Sequence, residues 1–217
     1  MIVVSFYAPR PLEEARRWKC NYDDLLMLVE ASCRKFDLKH LVISDNPRPK
    51  PLTTHLVSLP ENLMQAFMVG QLDVLESYSE SILFIGADCV LVRDPRCYRD
   101  FGDIAITLGP FSDCEMNCGA IWCNEPQKCI EVWRSAKARN PIHWGEDQRA
   151  VYASVRAEAA LGLKVFELRC EDHNWAPDDL NDNAGLATVV HFRGLRKSFM
   201  LAWAKKHLDL EPVKRES

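Results

Sequence analysis

The sequence predicts a protein of the α/β class. Short, strongly apolar segments of strand length alternate along the chain with longer amphipathic segments that have helical periodicity. This alternation is typical of helices layered on a mostly parallel sheet. Hydrophobic residues make up 47% of the 217 residues, which is enough for a sizeable core, and we expect residues 1–217 to form a single domain.

Turn residues and amphipathic spacing divide the chain into predicted elements. Strands are predicted at 2–7, 40–44, 56–59, 82–85, 103–108, 119–124, 164–168 and 187–192. Helices are predicted at 22–35, 62–77, 126–137, 145–161 and 197–207. The proline-rich segment 47–51 and the stretch 109–117 are predicted loops, the first of them facing solvent. The charged tail 211–217 is expected to fray.

One acidic residue follows the most apolar predicted strand. The run 82–85 leads through Gly86 and Ala87 to Asp88, and a second apolar run follows before Asp94. A carboxylate at a buried strand end needs a partner, and a bound cation is a natural one. A turn cap or an ion pair with a core arginine remains an alternative at this point.

Charge and cysteine content restrict the class of protein. The net charge is -4, from 27 basic and 31 acidic residues, which gives no support for a protein that coats nucleic acid. The first residues have the pattern of a strand rather than of a signal peptide, and no window is apolar enough for a membrane span. The nine cysteines are odd in number and scattered, so we expect free thiols and a cytoplasmic location.

Several motifs then follow in a characteristic order. Asn117-Cys118-Gly119 opens a strand, Asp147-Gln148 opens a helix, Asn174-Trp175 comes later, and the end of the last predicted strand reads His191-Phe192-Arg193-Gly194-Leu195-Arg196-Lys197. With the Asp88 strand, this order resembles the GT-A glycosyltransferases, in particular the retaining enzymes of glycosyltransferase family 8. The resemblance spans roughly residues 1–200. It implies a Rossmann-like three-layer α/β/α sandwich around a mostly parallel mixed sheet.

The resemblance implies a divalent cation, Mn²⁺ or Mg²⁺, held by Asp88 and His191. The family motif is Asp-x-Asp, whereas the first position here is Gly86. This departure weakens the expected metal site, and a water, Asp113 or Asp45 is a candidate substitute ligand. The alternative for His191 is an ordinary core histidine.

The resemblance also implies a site for a nucleotide-sugar donor. Lys197 matches the lysine that contacts the diphosphate, with Arg193 and Arg196 as further phosphate contacts. The nucleobase is expected where the first two strands end, since ligands bind at the carboxyl ends of strands in open α/β sheets. The residues expected to contact the donor are Tyr7, Ala8, Asp45, Ala87, Gly119, Gly194 and Lys197.

The catalytic residues implied by the resemblance are Asn117, Asp147 and Gln148. Asn117 is expected at the sugar hydroxyls, Asp147 at the donor sugar and Gln148 near the anomeric carbon. Asp147-Gln148 favours retention of configuration, in which no strong protein nucleophile is needed; in an inverting enzyme Asp147 or Glu146 would be the base. Asp147 in a first helical turn also fits a capping role. Candidates for an acceptor platform are His143, Trp144 and Trp175.

These observations favour a nucleotide-sugar glycosyltransferase, with a UDP-sugar as the donor. The hydroxyl acceptor is a glycan, a protein or a hydroxymethylated DNA base. A nucleotidyltransferase is an alternative, although it would normally carry a glycine-rich loop after the first strand, where residues 8–14 contain no glycine. The second alternative is a non-catalytic module that binds nucleotide sugars, which Gly86 keeps open.

Overall fold

The computed structural model describes residues 1–8, 20–109 and 115–215, along which strands and helices alternate. The strands are β1 (Ile2–Phe6), β2 (Lys39–Ser44), β3 (Thr53–Leu56), β4 (Ile82–Ile85), β5 (Cys89–Leu91), β6 (Ile104–Leu108), β7 (Met116–Cys123), β8 (Val165–Arg169), β9 (Asn174–Trp175) and β10 (Val189–His191). The α-helices are α1 (Tyr22–Arg34), α2 (Leu63–Ser77), α3 (Pro126–Ala138), α4 (Glu146–Ala160), α5 (Cys170–His173) and α6 (Met200–Leu208).

The main sheet has seven strands in the order β3-β2-β1-β4-β7-β6-β8. Neighbouring strands are parallel except where β7 pairs with β4 and with β6, so β7 alone runs in the opposite direction. Parallel strands need crossover connections, and helices supply them except between β2 and β3, which residues 45–52 join without a helix. The mostly parallel mixed sheet that the motifs implied is confirmed.

Helices cover both faces of the main sheet. On one face α2, α3 and α4 pack against strand residues such as Val4 and Phe84. On the other face α1 and α6 pack against the alternate strand residues, such as Val3 and Leu83. Successive side chains of a strand point to opposite faces, which is why Val3 and Val4 belong to different layers. The three-layer α/β/α sandwich is therefore confirmed.

A second, small sheet positions the candidate site. Its strand order is β5-β10-β9, with β10 antiparallel to β5 and parallel to β9. The register places His191 opposite Cys89, and Asp88 immediately precedes Cys89 in the turn after β4. Backbone pairing thus brings together two residues that lie far apart in the sequence.

Three predicted boundaries are wrong. Strand β3 lies at Thr53–Leu56 instead of 56–59, because polar residues of this edge strand pair with β2 and leave no apolar pattern to read. Strand β7 begins at Met116 instead of 119, because Asn117 pairs with Thr107 of β6. The last helix begins at Met200, and residues Gly194–Phe199 form a 3₁₀ helix before it.

A loop predicted to face solvent and a tail predicted to fray both pack against α1 instead. The Arg48 side chain in the proline-rich loop is only 11% exposed, because it forms an ion pair with Asp23 at the start of α1. In the tail, the backbone amide of Val213 donates to the carbonyl of Met27 at 3.2 Å, and Arg215 lies 3.9 Å from the Asp23 carboxylate. The C-terminal segment is therefore held through residue 215.

The helices within the described ranges are all too short or too polar to cross a membrane. The cysteines in the same ranges are free thiols, as their scatter along the chain predicted.

Candidate active site

Asp88 has two cationic or potentially cationic partners. Its Oδ2 lies 2.6 Å from Nζ of Lys197, and its Oδ1 lies 3.4 Å from Nε2 of His191. The backbone carbonyl of Asp88 also accepts a hydrogen bond from the amide of Phe192 at 2.8 Å, which ties the turn to β10. Sequence reasoning left a core arginine or a turn cap open as the partner, whereas the structure pairs Asp88 with two of the residues implied by the resemblance.

The electrostatics of this group favour an ionised Asp88. The three side chains are between 11% and 13% exposed. Burial alone would raise the pKa of Asp88, but His191 and the Lys197 ammonium outweigh it and hold this pKa well below its ordinary value. The site therefore presents a carboxylate, rather than a carboxylic acid, throughout the neutral range.

Two glycines make room for the charged group. A Cβ atom on Gly119 would lie 2.2 Å from Nδ1 of His191, so the imidazole rests directly on the backbone of β7. A Cβ atom on Gly86 would lie 2.4 Å from Oδ1 of Asp88. Gly86 therefore not only lacks the carboxylate of the usual Asp-x-Asp motif but also leaves the space in which the Asp88 carboxylate lies.

Asp88 and His191 fit as two ligands of a divalent cation. The separation of 3.4 Å between Oδ1 and Nε2 is close to that of adjacent ligands whose bonds are about 2.1–2.3 Å long. A carboxylate oxygen and an imidazole nitrogen suit Mn²⁺, and the carboxylate also suits Mg²⁺. Cys89 is near both groups. Its thiol donates to the carbonyl of Gly119 at 3.3 Å, and a soft sulfur ligand suits Mn²⁺ and Mg²⁺ less well than the carboxylate of Asp88 does.

Glycine at position 194 lets the chain turn from β10 into the 3₁₀ helix that carries Lys197. Its φ is 62°, in the left-handed region that other residues rarely adopt. Arg193 is half-buried, and burial lowers its pKa. The negative charge of Asp88 acts in the opposite direction and raises this pKa. Arg196 instead forms an ion pair with Asp178 at the surface, so its predicted role as a phosphate contact is not supported.

Asn117 and Gly119 lie within β7. The Asn117 Oδ1 accepts from the backbone amide of Gly119 at 2.8 Å. The Asn117 Nδ2 is buried and has no hydrogen bond of normal geometry among the described residues, although its side chain lies near the thiol of Cys170. A buried donor of this kind is rarely left unpaired, so a ligand hydroxyl is a natural acceptor for it.

The start of α4 lies beside the same strand. The Gln148 Oε1 accepts from the backbone amide of Cys118 at 3.1 Å, which places Gln148 next to Asn117 and Gly119. Asp147 is half-buried, and burial raises its pKa. Glu146 is engaged elsewhere, because its carboxylate accepts from the backbone amides of residues 142 and 143, both at 2.9 Å. Glu146 therefore holds the loop that precedes α4 and is a poor candidate for a catalytic base.

Tyr7 and Ala8 directly follow β1, where the nucleobase was expected. The guanidinium carbon of Arg48 lies 4.5 Å above the ring of Tyr7, and the rings of Tyr7 and Tyr22 are 5.6 Å apart. Burial raises the pKa of Tyr22, with Cys20, Asp88 and Tyr7 adding to the effect. Tyr22 therefore lies within electrostatic range of both the Asp88 end and the Tyr7 end of the site.

The other predicted donor contacts border the same region. Ala87 packs in a small apolar cluster with Tyr7 and Tyr22. Asp45 follows β2 and borders a groove of about 490 Å³ that Pro47 and residues 56–59 also line. Asp113, the candidate substitute ligand, lies outside the described residues.

Sequence reasoning missed several residues at this site, among them Tyr22, Arg48, Thr107 and Asn174. None of them belongs to a motif with a recognisable spacing, and Arg48 was taken for part of an exposed loop. The Asn174-Trp175 pair was noticed, but a role was assigned only to the tryptophan.

The three acceptor candidates have different environments. Trp144 is 68% exposed and His143 is also exposed, close in sequence to Asp147. Trp175 is only partly accessible and packs against the second core layer, with its ring 6.5 Å from that of Trp203. Trp144 and His143 remain candidates, whereas Trp175 has a packing role.

Comparison of the sequence with known proteins finds no match among family models or among curated proteins. Solved structures do match. A glycosyltransferase involved in the glycosylation of the major capsid of PBCV-1 has a TM-score of 0.62 at 14% identity, over 92% of this chain and 98% of its own. The galactosyltransferase LgtC, in complex with donor and acceptor sugar analogues, has a TM-score of 0.54 at 12% identity, over 99% and 98% of the two chains.

A third structure extends the comparison. The glycosyltransferase GlyE of Streptococcus pneumoniae TIGR4 has a TM-score of 0.55 at 11% identity, over 88% of this chain and 54% of its own. Identities this low establish a common architecture and leave the chemistry to the site itself. The chain therefore has the GT-A fold of these glycosyltransferases.

Proposed function

We propose that this protein transfers a sugar from a nucleotide-diphosphate sugar, preferably a UDP-sugar, to a hydroxyl acceptor with retention of configuration. The observation that carries the proposal is the meeting of Asp88, His191 and Lys197 beside Asn117 and Gln148. Asp88 and His191 suit a diphosphate through a cation that they would hold, and Lys197 suits it directly. Asn117 and Gln148 suit a sugar. Both groups lie around the strand ends at which open α/β sheets bind ligands.

Charge on the departing diphosphate is the main electrostatic demand of this reaction. Asp88 and His191 would hold Mn²⁺ or Mg²⁺, which supplies a Lewis acid for the phosphate oxygens. Lys197 offers an ammonium group 2.6 Å from Asp88, and a small shift of its flexible side chain brings it to a phosphate oxygen. Arg193 is half-buried close to the same carboxylate and adds positive potential.

The sugar is expected between β7 and the start of α4. Asn117 has a buried amide donor for a sugar hydroxyl, and Gly119 allows the donor to approach the backbone closely. Gln148 is held by the Cys118 amide and lies beside both residues. Asp147 contacts the sugar in this proposal, and the leaving phosphate oxygen takes the proton of the acceptor.

The acceptor hydroxyl is expected to approach past His143 and Trp144. An exposed indole offers a flat apolar face on which a sugar ring or a base can stack. Trp144 is 68% exposed, which is unusual for a tryptophan. It lies next to the proposed sugar site in sequence. We propose a glycan, a protein or a hydroxymethylated DNA base as the acceptor class.

Thermal unfolding with a panel of nucleotide sugars, with and without Mn²⁺, tests the proposal. We expect one donor to raise the melting temperature in the presence of Mn²⁺, since a ligand that binds only the folded state stabilises it. The effect should vanish in Asp88→Ala and His191→Ala and persist in Asp94→Ala, which removes an exposed carboxylate of a surface ion pair.

Release of the nucleoside diphosphate from the same donor distinguishes an enzyme from a binding module. Turnover of the donor identified by the panel supports a transferase. Stabilisation without any turnover, tested with glycan, protein and modified-DNA acceptors and with water alone, would support the binding module instead. Absence of stabilisation by every donor would overturn the proposed function.

A further inference from the structure

The pairing of β6 with β7 is interrupted beside the sugar site. Ile106 lies opposite Ile121, but the next residue, Thr107, lies opposite Asn117. Residues 118–120 therefore have no partners across from β6 and form a bulge. Bulges occur where a strand must aim particular side chains, and they need local contacts to hold their shape.

The backbone of the bulge contacts the residues that are proposed to bind the sugar. The amide of Cys118 donates to Gln148, and the amide of Gly119 donates to the Asn117 side chain. The imidazole of His191 rests on Gly119. The shape of this bulge therefore sets the relative positions of Asn117 and Gln148, whereas His191 is held from β10 by its pairing with Cys89.

One hydroxyl group spans the two ends of the bulge. Oγ1 of Thr107 lies 3.0 Å from the carbonyl oxygen of Asn117 and 3.5 Å from that of Ala120. The shorter contact is the better hydrogen bond, so the hydroxyl donates to Asn117. A valine at this position would have the same shape and leave both carbonyl groups without this donor.

The same hydroxyl accepts a hydrogen bond from the small sheet. Nδ2 of Asn174 donates to Oγ1 of Thr107 at 3.1 Å, and both residues are fully buried. Asn174 pairs with Val189 in β10, the strand that ends at His191. A continuous path of contacts thus runs from the strand of the proposed metal ligand, through Asn174 and Thr107, to Asn117.

We infer that Thr107 and Asn174 are positioning residues for the donor sugar. They hold the bulge of β7 so that Asn117 and Gly119 face the sugar. His191 and Lys197, which face the diphosphate, are held by β10 and by the 3₁₀ helix that follows it. Neither residue touches the substrate in this account. The inference rests on the proposed function, and it predicts a specific effect on the sugar half of the donor.

Calorimetric titration with UDP, UDP-glucose and UDP-galactose in Mn²⁺ buffer measures this effect. We expect Thr107→Val to weaken binding of the preferred nucleotide sugar by about 10-fold, the usual consequence of losing a buried hydrogen bond. Binding of UDP itself should stay within about twofold of wild type, because its contacts lie outside the bulge. Asn174→Ala should change the ratio in the same direction.

Two further variants separate positioning from a general loss of stability. Thr107→Ser keeps the hydroxyl and should restore the wild-type ratio of the two affinities. Thr188→Val removes another buried threonine hydroxyl, which bonds to Tyr98 at 3.0 Å, and should lower the melting temperature without changing the ratio.

Three outcomes would overturn the inference. One is an equal loss of affinity for UDP and for the nucleotide sugar in Thr107→Val, and another is a failure of Thr107→Ser to restore the ratio. The third is wild-type affinity for both ligands in Thr107→Val. If wild-type protein binds neither UDP nor any nucleotide sugar, the proposed function falls as well, and that result is distinct from the other three.

Discussion

Replacing Gly119 with alanine tests whether the site depends on the close approach of His191 to β7. The new Cβ would lie 2.2 Å from Nδ1 and 2.5 Å from Cε1 of the His191 ring. Both distances are at least about 1 Å shorter than a normal van der Waals contact. Either the ring or the strand must therefore move by a distance of that order.

The ring is expected to move, because the strand is held firmly. The Gly119 carbonyl accepts from the amide of Gly86 and from the thiol of Cys89, both at 3.3 Å. Displacement of the ring changes its 3.4 Å separation from the Asp88 carboxylate. We expect a loss of about 100-fold in turnover, which is typical of a misplacement of about 1 Å in an active site. Overpacking should also cost about 1–3 kcal/mol of the free energy of unfolding.

Gly70→Ala is a matched control for this substitution. A Cβ on Gly70 would lie 2.5 Å from Cγ2 of Ile43, so it adds the same methyl group with a similar overlap, far from His191. Replacing a helical glycine also gains about 1 kcal/mol of helix propensity, which offsets part of the strain. We expect this variant to keep wild-type turnover.

The assays are urea unfolding, calorimetric titration with Mn²⁺ and release of the nucleoside diphosphate. Loss of Mn²⁺ binding and turnover in Gly119→Ala, with both retained in Gly70→Ala, would support the reasoning. A folded Gly119→Ala protein with wild-type turnover and Mn²⁺ binding would refute it, because His191 would then have room to move without consequence.

Two further predictions follow from the charges of the site. Lys197→Met removes a partner of the buried Asp88 carboxylate and should lower the free energy of unfolding at pH 7 by about 3 kcal/mol. The control Lys205→Met breaks an exposed ion pair and should lower it by less than about 1 kcal/mol. The pKa of Asp88 is lowered in the folded state, so the difference from wild type should shrink as the pH falls below about 4 in urea unfolding; a constant difference would contradict this assignment. Burial raises the pKa of Asp147, so ionisation there opposes folding, and Asp147→Asn should raise the melting temperature at pH 7 while lowering donor turnover. The gain should diminish as the pH falls, because the wild-type carboxyl then becomes protonated, and a melting temperature equal to wild type at pH 7 would show that Asp147 is well solvated.

Most of the architecture was predictable from periodicity. Apolar runs such as 82–85 and amphipathic stretches such as 126–137 identify buried strands and helices directly, because burial selects apolar side chains. Strand β3 was misplaced because its residues Thr53, Thr54 and His55 are polar and its pairing is set by β2. The bulge in β7 could not be predicted from the sequence either. Its register depends on Thr107 and Asn174, which are distant from each other in sequence.

The site was predictable only where a motif carried it. Asp88, His191 and Lys197 were expected together and lie together. Arg196 and Glu146 were equally plausible by residue type, but the first pairs with Asp178 and the second accepts from backbone amides of the loop before its helix. Identity and spacing cannot separate these cases, because a long charged side chain can turn toward either the site or the surface.

By itself, the sequence determined the class of fold and the order of its elements. These properties follow from local patterns, which depend on burial and on backbone geometry over a few residues. Only the tertiary structure decided that β10 pairs with β5, that Gly119 supports His191 and that Asn174 reaches Thr107. Each of these contacts joins segments far apart in the chain, and strand register and side-chain packing select them only once the core has formed.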